Sequence, residues 1–297
     1  MINRADDDML IRAMPLMFVV IWSTGFIVAR YGMPLAPPMT FLALRYTFSI
    51  LCFLLWITLA RVAWPATRSQ WLHLSITGIL MHGCYLGGVW SAVKAGMGSG
   101  LVALIVGLQP VLTAIWLSST GGQVTRRQWA GLIMGFTGLV LVVSHKFGAG
   151  GEATLYTLSF AIFALLSITT GTLYQKKHVE SCDVRSANTV QLIAALLVTL
   201  PFSLFETEAI QWTTEFVAAM AWSVLALTLG GSSLLYILIQ RGATTAVTSL
   251  LYLVPPTTAL MAWLLFSEPI TTLTLLGTAL TAFGVSLVVR SARRFLN

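Results

Sequence analysis

Charge is what this chain has least of. Only 9% of its 297 residues are Asp, Glu, Lys or Arg, where a soluble domain carries about 25%. So few charges cannot wet a globule of this size, and 57% of the residues are hydrophobic, so the chain must meet lipid. Acidic residues are scarcest, 10 against 17 basic ones, for a formal net charge of +7. In a soluble protein that excess suggests a polyanion partner. Here Lys and Arg stand singly or in pairs between apolar runs, which reads as membrane topology and excludes nucleic acid. The 3 cysteines are also uninformative: Cys52 and Cys84 lie in apolar runs and Cys182 in a polar loop, with no metal spacing or disulfide framework. The opening segment 1–12 is acidic, not the basic start of a signal peptide. No paired His/Glu metal spacing, nucleophile elbow or Gly-rich phosphate loop is present. The reading is therefore not an enzyme, with no cofactor and no metal.

What is there is a series of long apolar stretches. A helix needs about 20 apolar residues to cross the hydrocarbon core. Such runs fall near 14–28, 39–60, 71–93, 101–118, 129–143, 155–174, 187–205, 216–239, 247–266 and 273–289. They are apolar all round, without the alternation of a membrane β-barrel. The fold class is all-α integral membrane, with about ten transmembrane helices. Loops on one side hold Arg4, Arg12, Arg61, Arg68, Arg126, Arg127, Lys176, Lys177, Arg185, Arg241, Arg290, Arg293 and Arg294, and the other side only Arg30, Lys94 and Lys146. The bias puts both termini in the cytoplasm of a multi-pass protein of the cell (inner) membrane.

An internal repeat organises these spans. Pro110 and Pro256 stand 146 residues apart (256 − 110). The same offset pairs Gly25 with Gly171, Gly96 with Gly242, Gly131 with Gly277, Gly138 with Gly284 and Thr125 with Thr271. Each half, 1–148 and 149–297, then holds five spans. Because five is odd, the second half enters the membrane upside down, and the halves form two inverted five-helix repeats. Many secondary transporters build two exchangeable conformations around a midplane site in this way.

Polar and aromatic residues inside the spans are the site candidates. Arg45 lies within the second span, where a charge costs at least about 2.5 kcal/mol at the bilayer centre. It either forks onto a substrate carboxylate or snorkels to headgroups and ties down backbone carbonyls. Its repeat mate is Gln191. His82 and Tyr85 share one face of the third span; His82 either bonds substrate or a proton, or bonds a neighbouring helix. Gln109 precedes Pro110, and Tyr252 precedes Pro255 and Pro256, in equivalent spans. These prolines should kink both helices and free acceptors near a site. Trp22, Trp90, Tyr174 and Tyr236 offer aromatic walls for a cavity. No Asp or Glu lies deep within a span, and Glu268 sits at a span end.

The run Tyr252-Leu253-Val254-Pro255-Pro256, with Ala259, Leu264-Leu265, Glu268, Thr271, Gly277 and Gly284, resembles the last two helices of the EamA domain. That domain belongs to the drug/metabolite transporter superfamily. Leu108-Gln109-Pro110 with Gly131 and Gly138 repeats part of the pattern, and Trp22-Ser23-Thr24-Gly25 and Arg45-Tyr46 resemble its early helices. Gly122 departs from it, standing where the second half has Glu268. The resemblance covers essentially the whole chain and implies ten helices in two inverted EamA repeats. It further implies export or exchange of small organic metabolites, amino acids prominent among them, by alternating access. The expected partners are a small-molecule substrate and membrane lipid, with the chain a monomer or homodimer. Efflux of drugs or organic cations is the alternative transport reading, and a membrane-embedded enzyme or a channel the reading from another class.

Overall fold

The computed structural model describes residues 4–119, 125–146, 152–231, 234 and 253–292. Among the described residues every regular element is helical. Seven helices are long and apolar enough to cross a membrane, and three shorter apolar helices bring the number of spans to ten. In chain order they are α1 (Arg4–Gly32), α2 (Pro38–Ala60), α3 (Arg68–Lys94), α4 (Ser99–Val106, resuming as Gln109–Ser119) and α5 (Arg126–Lys146). The second half follows with α6 (Leu155–His178), α7 (Val184–Ser203), α8 (Thr214–Gly231), α9 (Val254–Phe266) and α10 (Thr272–Ala292). Side chains such as Leu55, Phe136 and Leu197 stay exposed on the outside of the bundle, as a lipid-facing surface requires.

The helix starts are set by local chemistry. Thr67 and Gln70 form a capping box at α3, Thr154 and Thr157 one at α6, and Asp183 and Thr213 cap α7 and α8. Each satisfies an amide that has no partner in the first turn. Two helices borrow their cap from elsewhere. Pro37, before α2, offers no side-chain cap, and Glu206 accepts from Met39 N (2.9 Å) and Thr40 N (2.7 Å) instead. Glu268 accepts from Ser99 N (3.0 Å) and Gly100 N (3.4 Å) at the start of α4. A carboxylate at a helix N-terminus also meets the positive end of the helix dipole.

The helix contacts obey the 146-residue offset. α1 packs on α8 as α6 packs on α3, and α1 on α9 as α6 on α4. Three pairs of counterparts touch each other directly: α2 with α7, α4 with α9, and α5 with α10. These pairs therefore lie on a two-fold pseudo-axis. The α5–α10 contact shows it at atomic detail. Gly138 lies against Gly277 O, and Gly284 against Gly131 O, so closely that a Cβ would come within 2.5 and 2.6 Å. Those contacts exchange under the offset, and Thr281 bonds the carbonyl of Gly135, its own counterpart, at 3.3 Å. Small residues are how lipid-embedded helices reach such separations.

Three sequence expectations change in detail. The fourth span is not one helix: its α-helix stops at Val106 and restarts at Gln109. The break thus precedes Pro110, which occupies the second position of the new segment, where its missing N–H is no loss. Pro255 and Pro256 likewise stand in the first turn of α9, and the ring of Pro255 packs on Gly107. α3 and α8 carry wider, π-helical turns at Ile79–Cys84 and Ser223–Gly231. The offset maps 79–84 onto 225–230, so both halves distort in the same place. π-Turns concentrate at functional sites.

Candidate functional site

The π-turns face one cavity. It is lined by Trp22, Gly25 and Phe26 of α1, Arg45 of α2, and Met81, His82, Tyr85, Leu86, Val89 and Trp90 of α3. Ile168 of α6 and Leu227 and Thr228 of α8 complete it. Its open space, with the mouth and the solvent outside it included, is about 740 Å³. Three lining pairs are counterparts of one another: Trp22 and Ile168, Met81 and Leu227, and His82 and Thr228. Gly25 lies under Leu227, and its counterpart Gly171 under Met81. The cavity therefore straddles the pseudo-axis.

Two polar contacts sit beside it and are themselves related by the offset. Arg45 donates from Nε and Nη2 to Thr228 Oγ1, both at 3.2 Å. Adding 146 to Arg45 gives Gln191, and subtracting 146 from Thr228 gives His82. Gln191 and His82 are neighbours where α7 crosses the π-turn of α3. Arg45 is 8% exposed, so it does not snorkel, and among the described residues it bonds no backbone carbonyl. Its partner is a hydroxyl across the repeat boundary. Thr228 donates in turn to Ser223 O at 2.9 Å, which leaves its lone pairs for the guanidinium. Tyr46 donates its hydroxyl to His82 O at 2.8 Å, taking up a carbonyl within the π-turn.

One end of the cavity is shut by aromatic packing. Trp90 stacks on Phe41 with centroids 4.3 Å apart, and Phe41 meets Phe216 edge-on at 5.5 Å. All three side chains are fully buried. Beyond them Lys94 pairs with Glu208 and donates to Met33 O at 3.1 Å. Lys94 thus ties the end of α3 to the end of α1 and to the segment that follows α7.

Of the residues singled out from sequence, Trp22, Arg45, His82, Tyr85 and Trp90 line this cavity, and Gln191 stands behind His82. Gln109 does not line it: its amide donates to Thr172 of α6 at 2.9 Å. Tyr174 is also elsewhere, with its hydroxyl 2.7 Å from His73 Nδ1 and its ring against His178. Tyr236 and Tyr252 lie outside the described residues. Thr228, Met81 and Leu227 were not anticipated, although the offset applied to His82 would have pointed to Thr228. A smaller crevice lies beside Glu268, but Glu268 is occupied as a helix cap and Lys146 pairs with Glu152 at 2.9 Å.

The model of the EamA-like transporter family matches twice, at residues 11–144 and 155–290. The chain belongs to that family. The uncharacterized transporter YvbV of Bacillus subtilis is 26% identical to this EamA-like transporter over 278 residues, 91% of this chain and 88% of the relative. The probable amino-acid metabolite efflux pump of Escherichia coli is 23% identical over 291 residues, 94% of each chain. A crystal structure with 18% sequence identity superimposes with a TM-score of 0.67, covering 95% of this chain and 98% of the other. Its likeness carries the fold of this EamA-like transporter and nothing finer.

Proposed function

We propose that this transporter is a secondary carrier of small organic metabolites, amino acids and their derivatives first among them, and that it exports or exchanges them by alternating access. The supporting observation is that three pairs of counterpart residues from two inverted repeats line the cavity. When one repeat rocks against the other, a site on the pseudo-axis can stay in place while its two ends open in turn. In this reading Arg45 binds the substrate's charged end, Tyr85 and His82 bond its polar atoms, and Trp22 and Trp90 pack against its body. The Phe41–Trp90–Phe216 cluster and the Lys94–Glu208 pair close one end. The Lys and Arg bias makes that end the outer one, with both termini in the cytoplasm. The substrate class draws on the Escherichia coli relative's name and on the guanidinium in the wall. Organic-cation efflux fits less well, because that cation would meet Arg45.

The test is counterflow in proteoliposomes holding the purified full chain. Vesicles preloaded with unlabelled amino acids or N-acylated amino acids should accelerate entry of the same labelled compound, with saturation. Flux that rises linearly with concentration, or none for any class from folded and inserted protein, would sink the carrier assignment.

A further inference from the structure

Among the described residues Arg45 has no anionic partner. Its Nε and Nη2 share one neutral acceptor, Thr228 Oγ1, while a guanidinium carries five N–H donors in a fixed fork. The acidic side chains among the described residues have other places. Asp6, Asp7 and Asp8 precede the apolar part of α1, which begins at Leu16. Glu152 pairs with Lys146, Glu208 with Lys94 and Asp183 with Arg185. Glu180 accepts from Gln70, and Glu206 and Glu268 cap α2 and α4. Glu215 is in the first turn of α8. Between 216 and 267 the sequence has no carboxylate at all.

Among the described residues the cavity thus presents one fixed cation and no fixed anion. A buried charge held only by a neutral hydroxyl is poorly compensated, and a ligand carboxylate is the group that matches its fork. A zwitterionic amino acid would bring the carboxylate but also an ammonium group. That group would sit in the same small space as the guanidinium, with only neutral groups to receive it: hydroxyls, carbonyls, the His82 imidazole and the faces of Trp22, Trp90 and Tyr85. Aromatic faces attract a cation weakly compared with a carboxylate.

We infer that this site selects its substrates by net charge: it takes organic monocarboxylates whose amine is absent or acylated ahead of the free amino acids, and rejects the cationic amides. The inference rests on the carrier reading for where the substrate binds, and it narrows the substrate class of that site. Moving such a substrate alone carries net charge, so its flux follows the membrane potential, whereas that of a zwitterion does not.

The experiment compares three matched probes, N-acetyl-L-phenylalanine, L-phenylalanine and L-phenylalaninamide, and the same three forms of leucine. Binding to the purified full chain in detergent is read by thermal stabilisation; in proteoliposomes, exchange is read by counterflow, and net uptake into unloaded vesicles is read against an imposed potential. The acetylated acid should bind at least about tenfold more tightly than the free amino acid, and the amide not measurably. Its net uptake should respond to an imposed potential, and Arg45→Gln should abolish the ordering while Arg45→Lys retains it. The wild-type ordering needs no variant, so a misfolded variant does not remove the test. Equal or tighter binding of the free amino acid overturns the charge rule, as does an unchanged ordering in folded Arg45→Gln or no binding of any probe. Ordered binding without any counterflow would instead sink the carrier reading and leave the charge rule standing.

Discussion

The crossing of α2 with α8 and that of α7 with α3 are the same joint built twice, and they differ in one charge. At the first, Arg45 meets Thr228; at the second, Gln191 meets His82. The second is also tighter. Gly78 of α3 lies so near the backbone of Gln191 that a Cβ would overlap it at 2.2 Å. Its counterpart in α8 is Val224, whose side chain forbids an approach that close. Duplication thus kept the backbone geometry, including the π-turns, while the side chains diverged. The scaffold is symmetric and the chemistry is not.

The scaffold half of that comparison breaks most severely at the α5–α10 contact. Gly138→Leu and Gly284→Leu each drive a side chain into backbone, and should destabilise the protein by about 3 kcal/mol or more. The two should suffer alike in thermal unfolding in detergent, and a large gap between them would show that the contact is not symmetric. The chemical half is probed by moving the cation. Arg45→Gln combined with Gln191→Arg carries it to the tighter crossing, where affinity for a carboxylate tracer should fall about tenfold or more, equivalent to about 1.4 kcal/mol. Affinity equal to wild type would mean the two crossings are interchangeable. A subtler contrast is Gly171→Ala against Gly25→Ala. A Cβ at Gly171 would lie 2.6 Å from the Met81 side chain, but one at Gly25 meets Leu227 at 3.8 Å. The first should cost about 1 kcal/mol and the second almost nothing in the same unfolding assay. Glu208→Gln removes a tie with no equivalent in the other half. Its carboxylate is largely exposed, so stability should change by less than about 1 kcal/mol, and by less still in high salt.

Much of the architecture was legible because its signals are long. Ten apolar runs and one constant offset needed no knowledge of neighbours, and they led to the repeat, to the pairing of Arg45 with Gln191 and to five cavity residues. What could not be read was which way a side chain faces. These spans are apolar on every side, so no amphipathic stripe marks the inward face. Tyr174 therefore looked like a cavity residue, although it turns toward His73, and Gln109 looked available, although Thr172 occupies it. Pro110 suggested a kink at itself, but a proline fits the first turn of a helix, and the break moved to Gly107 and Leu108. Thr228 was passed over because a threonine in a membrane helix announces nothing alone. Its meaning comes from the residue 146 positions earlier.

The glycine contact on the pseudo-axis also says which parts of the molecule can travel. Side chains that interlock can let go and re-engage one notch further on, but backbones pressed together have no teeth to slip. In the alternating-access cycle proposed above, α5 and α10 would then serve as the fixed post, and the swing would fall to the arms that carry the π-turns. Spectroscopic labels placed across the post should hold one distance through a transport cycle, while labels on α3 and α8 should alternate between two.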